Sequence, residues 1–302
     1  MAPYSRGVAK ALPIEVVIVS YRCRELLREC LGSIAASGSA FARVHVVDNA
    51  SGDGTVEMLA RDFPRVRVHA LAENTGFARA NNVALRGVTA PAVLVLNPDA
   101  RLRTDSIEPL VARLEARPEV GIVGPRLELE DGADDHAAKR SFPTPLSALG
   151  HFSGVGRGRG SGRLAAYRAP EIEAGPVDAI NGAFMLIRTE ALRDVGLFDE
   201  RYWMYMEDLD LCFRFARSGW TTWYEPSATA IHMKGGTTEG GRGPRLQAAF
   251  HSGMDRFYRD HYAPGRNPLV NVVVRAGIAA KLAVSLASRA VTAQAKHGSR
   301  DT

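Results

Sequence analysis

With 302 residues, 46% of them hydrophobic and 24% charged in mixed sign, the chain can bury a full core, and its charge pattern argues against a disordered tail or a nucleic-acid arm. A formal net charge of +5 suits anionic small molecules, sugar nucleotides among them, or an anionic membrane surface as readily as nucleic acid, and does not choose among them. The three cysteines, Cys23, Cys30 and Cys212, form no CxxC pair, which argues against a disulfide framework or a zinc site and fits a reducing compartment.

Residues 1–13 read as a tail without the apolar core and cleavage site of a signal peptide, so a cytoplasmic protein is expected. Short β-branched runs follow at Glu15–Ser20, Val44–Asp48, Val66–Ala70 and Ala92–Leu96, with amphipathic helical patterns between them. This rhythm predicts βαβ units and a mainly parallel sheet. Ser51, Asp53 and Thr55 are N-cap candidates for a helix over Val56–Arg61, and Thr104 or Asp105 for one over Ile107–Arg117. From Asp131 to Gly175 the composition turns to Gly, Arg, Ser and Pro, with Gly154–Gly162 the extreme, and predicts a long loop. Order is expected again over Val177–Ile187, in helices at Thr189–Val195 and Glu207–Ser218, and in a short strand at Ala228–Ile231 before a glycine-rich Gly235–Gly243. Leu269–Val291 is apolar but interrupted by Arg275, Lys281 and Arg289, too broken for a spanning helix. With those three on one broad face, it reads as a basic amphipathic helix lying on a membrane, or as a helix packed on the domain or a dimer partner.

Ligands of open α/β sheets bind beyond the carboxyl ends of the strands, and three predicted strands end in Ser20-Tyr21, Asp48-Asn49 and Asn97-Pro98-Asp99. Asp48 suits the ring N–H of a pyrimidine, or equally an Asx-turn. Asn74 to Asn82 opens a helix with Gly76 and small residues; it reads as a diphosphate site at a helix N-terminus, or as a turn and an ordinary helix. Asp99 is either a carboxylate for a hard divalent cation or part of a turn. Glu207, Asp208 and Asp210 suit a helix dipole, and one of them a general base whose neighbours raise its pKa. His232 reads as a metal ligand or, as an isolated histidine more often is, a structural residue; it stands just before the second glycine-rich segment, which is suited to close over a bound donor.

Taken in order, these pieces over residues 14–260 resemble the family 2 glycosyltransferases of the GT-A fold, in particular their rhamnosyltransferase-like branch. The resemblance rests on Val-Val-Asp48-Asn49-Ala-Ser51-Gly-Asp53-Gly-Thr, Asn74-Thr-Gly76-Phe-Ala-Arg-Ala-Asn-Asn82, Asn97-Pro98-Asp99, Asn181-Gly182-Ala183, Gly196-Leu-Phe198-Asp199-Glu200 and Glu207-Asp208-Leu-Asp210. It implies a Rossmann-like mixed, mainly parallel sheet flanked by helices over 14–262, and a C-terminal helical extension over 263–302. It implies an inverting enzyme that uses a dTDP- or UDP-sugar, first dTDP-rhamnose, with Mg²⁺ or Mn²⁺. The acceptor would be a hydroxyl of a glycan or polyprenyl-linked carrier, with peripheral membrane contact and a homo-oligomer both compatible. Ser20, Tyr21, Asp48, Asn74, Gly76, Asn82 and Asn97 would serve the nucleotide, Asp99 and His232 the metal, and Asp208, in its pair with Glu207, the proton. Asn97 stands where many members carry Asp. The competing classes are a non-catalytic sugar-nucleotide-binding protein and a nucleotidyltransferase; the latter would carry a glycine-rich loop where Ser20-Tyr21-Arg22-Cys23 stands.

Overall fold

Strand β1 (Ile14–Ser20) is buried along all seven residues, as its run of Val and Ile requires of a strand covered on both faces. It pairs in parallel with β2 (Arg43–Asp48) on one side and β4 (Ala92–Leu96) on the other, and β3 (Arg67–Ala70) extends the sheet beyond β2. Helices α1 (Arg24–Ala36), α2 (Thr55–Asp62) and α3 (Phe77–Leu85) make the crossovers. The chain runs outward from β1 to β3 and returns to β4, so the topological switch point lies between β1 and β4.

The second half completes a nine-stranded mixed sheet. Next to β4 lies β10 (Phe184–Arg188), antiparallel, followed by β6 (Val120–Glu128) and β11 (Thr221–His232). The far edge of β11 pairs with β8 (Gly175–Val177) at its start and with β5 (Ala100–Leu102) at its end. A separate two-stranded ribbon joins β7 (Lys139–Arg140) to β9 (Ala179–Ile180). The remaining helices are α4 (Glu108–Ala116), α5 (Thr189–Val195), α6 (Glu207–Arg217), α7 (Pro244–His261) and α8 (Pro268–Gly298). This computed structural model describes residues 12–39, 41–143, 172–233 and 243–298; the glycine-rich 154–162 and most of 235–243 lie outside them.

The strand period of two divides the core. Val16, Ile18, Leu94, Leu96 and Leu186 face one layer with Leu27, Met58 and Leu110, while Val17, Val19, Val93, Val95 and Ile187 face the other with Ala80, Leu209 and Phe257. The buried ion Glu15 is tied off at the opposite end from the strand tips. His45 Nε2 lies 2.7 Å from it, and the backbone N–H groups of Thr89 and Ala90 donate to it at 3.0 Å each. Burial alone would raise this carboxyl, but those hydrogen bonds outweigh it and hold the group at about 2.

Four expectations change. The Asp131–Gly175 region is not a featureless loop throughout, because 134–140 bridges Glu128 and forms β7. The short strand at Ala228–Ile231 is the end of the 12-residue β11, whose Glu225-Pro226-Ser227 reads as a break but is absorbed in a bulge. Neither Thr104 nor Asp105 caps α4, which starts after Ile107 with Pro109 in its first turn; Ser106 Oγ holds the preceding turn, accepting from Arg103 N at 2.6 Å. Nor does a side chain cap α2, whose N-cap is Gly54; Asp53 holds the preceding turn, accepting from Thr55 N at 3.1 Å while its other oxygen takes the Arg24 N–H of α1.

The fourth concerns α8. Its inner face packs Val274 and Ile278 on Tyr258 of α7, and Arg275 reaches Asp255 at 2.7 Å. The outward face is apolar, with Leu269, Val272, Val273 and Val284 exposed by 63% to 74%. Moreover, the α8 stretch Pro268–Ser288, 21 residues ending before Arg289, is long and apolar enough by length and composition to cross a membrane, against the expectation that Arg275, Lys281 and Arg289 interrupt it too far.

Candidate active site

Parallel register sets the β1 and β2 tips side by side, Ser20 opposite Asp48. Ser20 is fully buried, its Oγ 3.3 Å from Cys23 Sγ, whereas the next residue, Tyr21, is exposed. Asp48 accepts the Ser51 N–H on Oδ2 at 3.3 Å, while its Oδ1 is buried with no hydrogen-bond partner among the described residues. A buried acceptor left open at a strand tip is costly unless something donates to it.

Asn49 folds the next segment onto this corner. Its amide nitrogen donates to Asn74 Oδ1 at 3.1 Å and to the Gly76 carbonyl at 3.2 Å, and its oxygen accepts the Thr75 N–H at 2.9 Å. Asn74 Oδ1 also takes the Gly76 N–H, and Phe77 N–H donates to the Trp203 carbonyl at 2.8 Å. The Gly76 and Phe77 N–H groups at the start of α3 therefore already have protein acceptors and are not free for a diphosphate. Gly76 is required for a different reason: φ is +85°, and a Cβ there would stand 2.1 Å from the Trp203 carbonyl oxygen. Asn82 is likewise committed inside the protein. Its amide donates to the Phe198 carbonyl at 2.8 Å and accepts the Phe198 N–H at 3.2 Å, pinning the 198–203 segment to α3 instead of offering itself to a nucleotide.

Across the switch point, Asn97 is half-buried and its backbone N–H donates to the Ala183 carbonyl at 2.9 Å. Asp99 is buried, and its carbonyl accepts the Met233 N–H at 2.8 Å, which brings the end of β11 over it. His232 Nε2 thereby lies 3.6 Å from Asp99 Oδ1, and on its other side Nδ1 lies 2.9 Å from Asp135 Oδ2. Burial pushes the imidazole down, but the two carboxylates prevail and raise it to about 9. Asp135 was not legible as a site residue, since it lies in the polar stretch read as loop. Among the described residues no group of three or more His, Cys, Asp or Glu side chains gathers as a metal cluster. The pair nonetheless fits Mg²⁺ or Mn²⁺, whose binding would displace the proton from the His232 imidazole. Such ions commonly take one or two protein ligands and complete their shell with phosphate oxygens and water, and a carboxylate behind the histidine is the usual orienting partner.

The third part is the start of α6. Tyr205 and Met206 both have left-handed backbones, φ +70° and +72°, a strain of about 1–2 kcal/mol each for non-glycine residues. Gly253 of α7 lets that helix approach, since a Cβ there would meet the Tyr205 carbonyl at 3.2 Å. The turn delivers three buried acids. Asp210 is neutralised structurally by Arg214 and His261, at 2.7 Å each. Asp208 Oδ2 accepts the Gly182 N–H at 2.9 Å and an Arg140 N–H at 2.5 Å. Glu207 Oε2 is buried without a hydrogen-bond partner among the described residues, and burial, then the neighbouring Asp208, pushes its carboxyl up to about 8. The segment 181–183 touches both sides: Gly182 holds Asp208, and Ala183 holds Asn97.

Residues 15–196 match the sequence profile of Glycosyl transferase family 2. An N-acetylglucosaminyl-diphospho-decaprenol L-rhamnosyltransferase of Mycobacterium tuberculosis is 31% identical over 256 residues, which cover 79% of this chain and 81% of that one. A low-salt glycan biosynthesis hexosyltransferase of Haloferax volcanii is 26% identical over 68% of this chain and 62% of its own length. Among solved structures, GalNAc-T7 with UDP, GalNAc and Mn²⁺ superposes with a TM-score of 0.61 at 15% identity, over 84% of this chain and about half (49%) of the other. A mannosyltransferase from Pyrobaculum calidifontis with GDP-Man and Mn²⁺ gives 0.55 at 20% identity, over 95% of this chain and 79% of that one. These two likenesses establish the shared GT-A architecture.

Proposed function

Because the chain belongs to glycosyl transferase family 2 and is thus a sugar-transferring enzyme, we propose that it inverts the anomeric carbon of a nucleoside-diphosphate sugar on transfer to a hydroxyl of a lipid-linked or polysaccharide acceptor in cell-envelope synthesis. Rhamnose from dTDP-rhamnose is the first donor, ahead of UDP-sugars, and the name of the mycobacterial relative supports rhamnose as the sugar and a polyprenyl-diphosphate acceptor.

The observation that carries the reading is the arrangement along one sheet edge. Open Asp48 Oδ1 stands at the β1–β2 corner, the Asp99–His232 pair across the switch point, and Asp208 beyond the 181–183 segment. In this reading Ser20, Tyr21, Asp48 and Asn74 line the nucleotide, with Asp48 accepting a base N–H, and Asn97 flanks the diphosphate. Asp99 and His232 hold Mg²⁺ or Mn²⁺, which when bound stabilises negative charge on the leaving diphosphate. Asp208 takes the proton from the acceptor hydroxyl as that oxygen bonds to the anomeric carbon and the bond to the diphosphate breaks. One displacement inverts the centre. Burial and the neighbouring Asp208 push the Glu207 carboxyl up, which leaves Asp208 the stronger candidate for the charged partner of the pair.

The test is a thermal-shift screen of dTDP-rhamnose and UDP-sugars with Mn²⁺ or Mg²⁺, followed by transfer to a synthetic short-chain polyprenyl diphospho-N-acetylglucosamine. Stabilisation by one donor class with turnover is expected. Binding without turnover on any hydroxyl acceptor would instead leave a sugar-nucleotide-binding protein.

The outward apolar face of α8 supports peripheral membrane contact, which suits a lipid-linked acceptor. Flotation with phosphatidylglycerol-containing vesicles is expected for the full chain and lost on removing 269–302. Equal flotation of both forms removes the membrane reading.

A further inference from the structure

Asp208 is gripped from outside its own helix. Arg140 of β7 bonds it at 2.5 Å, and both side chains are largely buried, 15% and 9% exposed. Arg140 lies five residues after Asp135, so the single segment 135–140 fastens His232 at one end and Asp208 at the other. The backbone registers this segment against the site: Asn181 N–H donates to the Ala138 carbonyl at 3.0 Å, and β7 pairs with β9 directly before Gly182.

Two adjacent buried carboxylates do not both ionise cheaply, and a cation bonded to one of them decides which carries the charge. Among the described residues, the titratable and charged groups around this pair are Asp210 and Cys212 on α6, Arg214 and His261, which hold Asp210, and Arg140. With Asp210 already matched, among the described residues Arg140 is a cation that faces Glu207 and Asp208, and it bonds Asp208. We infer that Arg140 is a positioning residue of the transfer reaction, placing the negative charge of the Glu207–Asp208 pair on Asp208 and fixing that carboxylate against the Gly182 N–H. The upward push on Glu207 agrees with the proton residing there. This inference rests on the reading of Asp208 as the base.

The experiment measures kcat and kcat/KM against pH for wild type, Arg140→Gln and Arg140→Lys with dTDP-rhamnose and the short-chain acceptor, or with the donor found in the screen, beside donor binding by thermal shift. Arg140→Gln is expected to lower kcat by about 10- to 100-fold at neutral pH and to move the acidic limb up by about one pH unit, with donor KM within about threefold of wild type. Arg140→Lys keeps the charge but not the planar fork, so its limb stays within about half a unit while kcat falls. An unmoved limb in Arg140→Gln, or a rise in donor KM with kcat intact, overturns the inference. If Arg140→Gln does not fold, a shifted limb in Arg140→Lys does the same. Asp208→Asn is run alongside: wild-type turnover by it removes the base itself, whereas an inactive Asp208→Asn with an unmoved Arg140→Gln profile removes the Arg140 inference alone.

Discussion

Asp208→Asn is expected to lower kcat for transfer by about 10³-fold, within the usual worth of a general base, while donor affinity stays within about threefold. The substitution is nearly isosteric, so the side-chain oxygen still accepts the Gly182 N–H and the start of α6 keeps its place. What disappears is the lone pair that takes the acceptor proton. The amide also removes the negative charge that Asp208 presents to the mostly buried Arg140, so some stability is lost and the melting temperature must be recorded beside the kinetics. Glu207→Gln is the informative partner. A glutamine resembles the protonated acid that burial and Asp208 enforce at Glu207, so this variant is expected to retain activity to within about tenfold. The reverse outcome, a silent Asp208→Asn and a dead Glu207→Gln, would move the proton to Glu207.

The parts of this architecture that could be read from sequence are those where one local pattern decides the structure. β1, β2 and β4 were legible because apolar runs buried on both faces end abruptly in polar residues, and parallel pairing then carries those ends to one edge. α6 was legible because its acids sit in its first turn. What stayed hidden depends on partners distant in the chain. Asp135 and Arg140 belong to a segment with loop composition whose two-residue strand forms only because Ala179–Ile180 is there to pair with it. Asn82 looks ligand-facing from its helix position, and only the folded chain puts Phe198 against it. The basic residues of α8 read as the polar face of an amphipathic helix, and only the folded chain pairs the half-exposed Arg275 with Asp255 and leaves the valines outside.

The second large effect concerns Asp99. EDTA is expected to stop transfer, with activity restored by excess Mn²⁺ or Mg²⁺, and Asp99→Ala is expected to lower kcat/KM by about 10³-fold without recovery at high metal. The neighbouring strand-end residue that would share the load, Asn97, carries no charge, so the anionic contribution of this corner falls on Asp99. The loss should be functional, not structural. The link that brings β11 over the site runs from Met233 N–H to the Asp99 backbone carbonyl, which alanine retains, and His232 keeps its hydrogen bond to Asp135. A readout independent of turnover is the Mn²⁺-dependent part of donor stabilisation in thermal shift, which should vanish in Asp99→Ala and shrink in His232→Ala. Because Asp135 orients His232 without reaching the donor in this reading, Asp135→Asn should weaken metal response by about 10- to 100-fold, the scale of lost outer partners at metal sites. Full activity in saturating chelator would leave the Asp99–His232–Asp135 chain a structural clamp between β4, β11 and the 135–140 segment, and the charge on the diphosphate would then have to be met by basic side chains instead.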